Sequence, residues 1–524
     1  MVGRAFLALA LPACVHGYPR ALQQTQGSEL QRRRGGFLRR SRYVDFDTMP
    51  QVQDEGLQED LSGDFDPFSV LWKAALKGAS AVSKAPLALP LASGALFTST
   101  ALTGAAATLA APVVAAGAAA ASAGAGTVAS AAAAATLGAK TAQALIDVSD
   151  ADVGVEMEEL VVRRGYPVER HRVITDDGYV LGVFRIPHGR LGYEKAAADG
   201  DRRPVVLLQH GVLDSSLAFA ANFANQSLAY ILADAGYDVW LGNNRGNRYS
   251  KGHVSLSPLS SQFWNFSWTD MAEHDLPAEV DYVLQHTGQK RLAYVGHSEG
   301  SIQAFAAFSS NSTLASKVSV FVAMAPVAYV GNQRVMFLKA AQSLGLDRLV
   351  QILGDGLFYM NVQTANAVQP VSCRAMSSGC SFLMEVFAGK SEHLNQSRIH
   401  VYATMFPAGT STKNVRHWVS GIKSKSFGHY DYGSARENLQ HYGSASPPTF
   451  DLSKLTVPTA LFSGGNDQMA DAEDVHRLIT EIRPGVVFKF KEVPTYAHLD
   501  FILAQDANTL LYPEVLQAIA EHSP

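Results

Sequence analysis

The sequence predicts an α/β protein that carries a mainly helical insertion. Three observations carry this. The runs Val205-Val206-Leu207-Leu208, Leu292-Ala293-Tyr294-Val295, Val318 to Ala325 and Thr459-Ala460-Leu461-Phe462 are short and almost wholly apolar. That is the signature of strands buried on both faces. The second run leads through a glycine-flanked turn into Ser301-Ile302-Gln303-Ala304-Phe305-Ala306-Ala307-Phe308, which reads as a helix. From about Tyr329 to Phe450 the strand–helix alternation lapses, and apolar residues recur at helical spacing instead: Leu338, Ala341, Leu344, Leu349, Ile352, Leu353. The expected organisation is an α/β core from residues 152–330 and 451–520, with residues 331–450 inserted as a helical cap or lid.

The 524 residues suit one large domain plus an N-terminal extension. Residues 1–20 read as a signal peptide. Met1-Val2-Gly3-Arg4 is a short positive start, Ala5 to Ala13 is apolar, and Gly17 is a small residue near the expected cut. This predicts a secreted protein or one of a lysosomal or vacuolar lumen. The competing reading is a transit peptide to a plastid or mitochondrion, since Arg32, Arg33, Arg34, Arg39, Arg40 and Arg42 follow with little acid nearby. Residues 21–151 are a low-complexity, Ala-rich extension. No charged residue stands between Lys84 and Lys140. Residues 86–139 are long enough to cross a bilayer, yet Ala and Gly are weakly apolar, and Gly117, Gly124 and Gly126 loosen a helix. A linker, a membrane-associated or membrane-anchored segment and a folded accessory element all remain open for it. The net charge of −4 makes no case for a nucleic-acid partner.

The chemistry concentrates in Gly296-His297-Ser298-Glu299-Gly300. A G-x-S-x-G pentapeptide alone is a weak signal in a chain this rich in Gly and Ser. Between a strand and a helix it fits a nucleophile elbow, a strained turn that presents the serine hydroxyl. A serine needs a base to take its proton and an acid to orient that base. In α/β-hydrolases these follow in the order Ser, acid, His. Asp467, in Gly464-Gly465-Asn466-Asp467 after a predicted strand, is the candidate acid. His498, after the strand-like Val486 to Phe490, is the candidate base. Asp471 is a rival carboxylate, but its place before Ala472 reads as a helix N-cap. His297 adjoins Ser298 and is expected to point away from its hydroxyl. His210 precedes the expected oxyanion loop, and His274, His429 and His441 read as polar-face or loop residues. The oxyanion hole needs two backbone N–H donors, expected at Glu299 and at Val212, in Gln209-His210-Gly211-Val212 after the first apolar run.

With these residues in view, the chain from about Val153 to Pro513 resembles the acid lipases, the gastric and lysosomal lipases and their relatives. The resemblance rests on Gly165-Tyr166-Pro167-Val168-Glu169 and Thr175-Asp176-Asp177-Gly178-Tyr179, which resemble the family's opening strands. It extends through Gln209-His210-Gly211-Val212-Leu213, Leu232 to Asn243, Phe263-Trp264-Asn265-Phe266-Ser267, and the Asp467 and His498 segments. It implies an α/β-hydrolase fold with a cap, and a lipase that cleaves carboxylic esters of neutral lipids, triacylglycerol or sterol ester, at a lipid–water interface. Ser298 would be the nucleophile, His498 the base and Asp467 its orienting acid. The resemblance implies no metal and no cofactor. Glu299 stands where the family usually has Gln, and a carboxylate beside a developing oxyanion can oppose it. Val212 replaces the usual Leu, which leaves a backbone role intact. Cys14 falls in the expected signal, leaving Cys373 and Cys380, close enough in sequence to form one disulfide in an oxidising compartment. The family has a disulfide in this region. Four Asn-x-Ser/Thr sequons begin at Asn225, Asn265, Asn311 and Asn395 and are candidate glycosylation sites. The same Ser-His-Asp set also serves acyltransferases and thioesterases, and a non-catalytic lipid-binding protein on this fold is the reading outside enzymes.

Overall fold

The four apolar runs form the centre of one sheet. The computed structural model describes residues 150–190, 203–335 and 389–523, with 338, 339, 342, 384 and 385 between the last two stretches. Among these residues nine strands join: β1 (Glu169–Ile174), β2 (Tyr179–Ile186), β3 (Val205–Gln209), β4 (Asp238–Leu241), β5 (Gly252–His253), β6 (Leu292–His297), β7 (Val318–Met324), β8 (Thr459–Gly464) and β9 (Val487–Val493). Their order is β1-β2-β4-β3-β6-β7-β8-β9, with β5 on β2. From β4 to β9 neighbours run parallel, while β1/β2 and β2/β4 are antiparallel. Every residue of β3, β4, β6, β7 and β8 is buried, which is why their sequences are mostly apolar. β1 lies at the sheet edge, where positions alternate between half-buried and exposed through Glu169, Arg170, His171 and Arg172.

From β3 the chain moves to one side, to β4, and later returns on the other side as β6. The order of strands therefore reverses between β3 and β6. In parallel α/β sheets a crevice opens at such a point, outside the carboxyl ends of the strands. Gln209 and Gly296 are paired there, so the residues that follow them emerge side by side.

Helices α1 (Met157–Arg163), α2 (Leu228–Asp234), α3 (Leu276–Thr287) and α4 (Glu299–Ser310) come before β7 or lead to it. α3 has Pro277 in its first turn and stops at Gly288, whose φ of 68° suits a left-handed cap. Between β7 and β8 the described helices are α5 (Ile399–Met405), α6 (Thr412–Ser424) and α7 (Ala435–Tyr442). The Ser411 side chain caps α6 by accepting from the Asn414 N–H. Val415, Trp418, Val419 and Ile422, spaced three and four apart, form its buried stripe. After β8 come α8 (Ala472–Glu481) and α9 (Tyr512–Ala520). Asp471 is the N-cap of α8, accepting from the Glu473 N–H at 3.0 Å.

Two expectations need adjustment. Gly165–Val168 precede β1 rather than forming a strand, and Thr175–Gly178 is the turn between β1 and β2, with the Thr175 hydroxyl 2.5 Å from Asp177 Oδ1. That turn is locked by Arg245. The buried guanidinium lies 2.6 and 2.9 Å from Asp177, 2.8 Å from Asp275, and 4.0 Å over the Tyr179 ring. The signal or transit segment 1–20, the extension up to residue 149, Ala341, Leu344, Leu349, Ile352, Leu353, Cys373 and Cys380 lie outside the described residues. Among the described residues no helix is long and apolar enough to cross a membrane.

Candidate active site

Ser298 joins β6 to α4 with φ 53° and ψ −115°, a conformation costly for any residue with a side chain. Its neighbours make that turn feasible. A Cβ on Gly296 would stand 2.6 Å from the carbonyl oxygen of Gly300, and a Cβ on Gly300 would collide with the carbonyl of Gln209. Both glycines are therefore demanded by close approach of backbone to backbone. The turn is pinned by the Ser298 N–H donating to Met324 O at 3.1 Å and by the Ser301 hydroxyl donating to Ser298 O at 2.6 Å. Gly211, after β3, packs on the serine: a Cβ there would lie 3.0 Å from Ser298 Cβ. Leu213, two residues on, also has a positive φ of 60°. Strained backbone thus gathers on both sides of the switch point.

The three candidate triad side chains meet here and are buried. His498 Nε2 is 2.7 Å from Ser298 Oγ. His498 Nδ1 is 3.0 and 2.9 Å from the two oxygens of Asp467. Asp467 Oδ1 also accepts from the N–H groups of Met469 and Ala470, at 2.8 and 2.9 Å. The glycines before Asp467 explain how its loop reaches the histidine. A Cβ on Gly464 or Gly465 would strike the carbonyls of Tyr496 or Pro494, so the two loops run backbone against backbone. They are joined by Gly465 N–H to Val493 O and Asn466 N–H to Tyr496 O, both 3.0 Å.

Val212 lines the same cavity as Ser298, and Glu299 supplies the first residue of α4, where N–H groups have no partner within the helix. The cavity measures about 40 Å³, and Phe406, Val415, Trp418, Met469 and Leu499 give it apolar walls. Glu299 sends its carboxylate to α6: Oε2 accepts from Asn414 Nδ2 and from Trp418 Nε1, each at 2.7 Å. Burial still dominates and pushes this carboxyl up to about 7. Asp214, in the loop after β3, is likewise pushed up to about 7 by burial, partly offset by the Ser215 N–H.

His297 makes no contact with the serine hydroxyl, as expected, yet it has a role in the local structure. Its Nε2 donates to the His498 carbonyl at 2.9 Å, tying the elbow to the histidine loop. Burial depresses its pKa to about 3, so the ring is neutral. Burial also lowers His210 to about 4, and its Nε2 accepts from the Asn244 N–H at 3.1 Å. The links from Glu299 to Asn414 and Trp418 have no sequence signal, because the partners lie 115 and 119 residues away. Two His/carboxylate clusters, Glu169/His171/His286 and Asp176/Asp177/His274, have metal-compatible spacing but contain no residue of the Ser298 cavity. In the first, both His171 nitrogens are already engaged, by Tyr282 and Glu169, and in the second Asp177 holds Arg245.

Comparison with known proteins bears on the fold and the family. Residues 204–505 match the model of the alpha/beta hydrolase fold, and residues 157–223 match that of a partial alpha/beta-hydrolase lipase region. The chain is 41% identical to lipase member K of Mus musculus over 71% of its own length and 93% of the relative's. It is 41% identical to gastric triacylglycerol lipase of Homo sapiens, over 71% and 92%. It is 38% identical to lysosomal acid lipase/cholesteryl ester hydrolase of Homo sapiens, again over 71% and 92%. Relatives matched over nearly their whole length, on a sheet whose switch point carries a serine in a strained glycine-flanked turn, leave one assignment: the chain belongs to the acid lipase family of α/β-hydrolases.

Proposed function

We propose that this protein hydrolyses carboxylic esters of neutral lipids, triacylglycerol or sterol ester, through an acyl-enzyme on Ser298. The 2.7 Å contact between Ser298 Oγ and His498 Nε2 carries the reading, in a chain whose relatives are named lipases. His498 Nε2 takes the proton of Ser298 Oγ as that oxygen bonds to the ester carbonyl carbon. Asp467 holds His498 Nδ1–H and stabilises the imidazolium that forms. The N–H groups of Val212 and Glu299 donate to the oxyanion, aided by the positive end of α4. The tetrahedral species collapses, the alcohol leaves with the proton from His498, and the acyl group stays on Ser298. Water then adds, its proton going to His498, and the fatty acid departs as the proton returns to Ser298. Every group in the cycle comes from the chain or from water.

Residues 331–450 act in this reading as a cap, with α6 setting Val415 and Trp418 over the cavity. Apolar walls exclude water and strengthen the electrostatics inside. The protein works at a lipid–water interface in a secretory or lysosomal/vacuolar space, as the gastric and lysosomal names of its relatives suggest.

The test is fatty-acid release from emulsified triacylglycerol and from cholesteryl ester by the full chain, beside Ser298→Ala, from pH 4 to 8. Serine-dependent release is expected. Release that survives in Ser298→Ala, or none from either lipid by folded protein, would overturn the proposal. Transfer of the acyl group to an added alcohol in preference to water would instead favour an acyltransferase.

A further inference from the structure

A lipid ester brings a long alkyl chain, and the cavity described at Ser298 is small. Its volume is about 40 Å³. A second cavity of about 310 Å³ lies on the other side of α6. On that helix His417, Ser420, Gly421 and Ser424 line the second cavity, while Val415 lines the first. At ~100° per residue these fall on roughly opposite faces. Trp418 lies between the faces and lines both cavities. The floor of the second cavity includes Ile302, four residues after Ser298 on α4, hence only ~6 Å along the helix axis from the serine.

The lining is mixed, with an apolar side and a polar side that includes Ser426, His429, Ser446 and Thr449. Trp268, Ile302, Ala328, Val330 and Trp418 are apolar and buried or nearly so. Of the two histidines in the lining, His429 is stacked on Phe450 at 4.5 Å, and His417 is stacked on Trp268 at 4.3 Å and donates from Nε2 to Gly428 O at 3.1 Å. Its burial keeps it uncharged. The carboxylate in the lining, Asp431, is exposed and accepts from Asn438 Nδ2 at 2.9 Å. The Trp418 indole is held by its N–H bond to Glu299, next to the serine.

We propose that the second cavity is the acyl-chain subsite of the ester substrate, and that Trp418 is the partition a chain must displace to enter it from Ser298. This rests on the proposed ester hydrolysis. An acyl group bound at Ser298 would pass the indole, lie along Ile302 and Val330, and run toward the open rim. Trp418 would then be a specificity-determining residue for chain length.

The test uses the full chain and the ratio of kcat/KM for p-nitrophenyl dodecanoate to that for p-nitrophenyl butanoate. Val330→Phe fills the floor and is expected to lower the ratio about tenfold, and Trp418→Ala joins the cavities and is expected to raise it several-fold. Ala328→Val serves if Val330→Phe does not fold. A ratio that stays at the wild-type value in folded variants would overturn the subsite. Loss of butanoate turnover in Ser298→Ala checks the hydrolase reading separately. If esters are not turned over at all, quenching of tryptophan fluorescence by bromododecanoic acid still decides, because Trp268 and Trp418 both face the cavity. Saturable quenching weakened by Val330→Phe is expected, and unsaturable quenching, or quenching indifferent to Val330, would overturn the inference.

Discussion

Glu299→Gln isolates the effect of one buried carboxyl on how stability depends on acidity. Burial raises its pKa from 4.5 to about 7, although Asn414 and Trp418 donate to it and pull the other way. Below pH 4.5 the carboxyl is protonated in both folded and unfolded chains and adds no pH dependence. Between 4.5 and about 7 the unfolded chain releases the proton while the folded chain keeps it, so stability falls as pH rises. Above about 7 both forms are ionised and the loss is complete. At about 1.4 kcal/mol per pH unit, the gap from 4.5 to about 7 amounts to about 3 kcal/mol. Gln has no such proton. Replacing Glu also alters two hydrogen bonds, but that cost is the same at every pH. Asp214, Glu279 and Asp500 are raised by burial too, and their contributions cancel in the difference between the two proteins. Urea unfolding of both at pH 4.5, 5.5, 6.5 and 8 is the assay. The variant is expected to gain about 3 kcal/mol on the wild type from the lowest to the highest pH. A constant difference across that range would refute the reasoning. The same substitution is expected to extend esterase activity to higher pH, because it removes a charge that forms beside an oxyanion donor. Superimposable pH–rate profiles would sink that part.

Asp467→Asn should keep KM near its original value and lower kcat by about 10⁴-fold, since His498 loses the acceptor that fixes its tautomer, as steady-state kinetics would reveal. Gly300→Ala puts a methyl against the Gln209 carbonyl and should cost about 3 kcal/mol of stability, read from urea midpoints. Arg245→Met leaves Asp275 buried without its cation and should cost about 3–5 kcal/mol, more than any surface ion pair of this chain, by the same assay.

The parts of the fold legible in the sequence are those with a local physical signature. β3, β6, β7 and β8 are buried on both faces, so their apolar runs stand out. The elbow is legible because both glycines flank the serine in one pentapeptide, although the demand on Gly300 comes from the distant Gln209 carbonyl. Ser298, Asp467 and His498 could be picked out together because each follows a strand, and parallel strands deliver their following loops to one edge of the sheet. β1 does not stand out from its flanks, since its first four residues, Glu169 to Arg172, are as polar as the turns around them. Illegible altogether were contacts between distant polar residues. Nothing near Glu299 announces that Asn414 and Trp418 will hold it, and Arg245 meets Asp177 across 68 positions. The bond from His297 to the His498 carbonyl depends on a loop 201 residues away. Such pairs are set by tertiary packing, which leaves no period in the sequence.

The most direct test of the account is to treat the full chain with an alkyl fluorophosphonate and map the adduct by peptide mass spectrometry. The account predicts a single phosphonyl group on Ser298, absent from Ser298→Ala, formed far more slowly in His498→Ala, and matched by loss of ester hydrolysis. An unlabelled Ser298 in folded protein, or hydrolysis that persists once Ser298 is fully labelled, would contradict it.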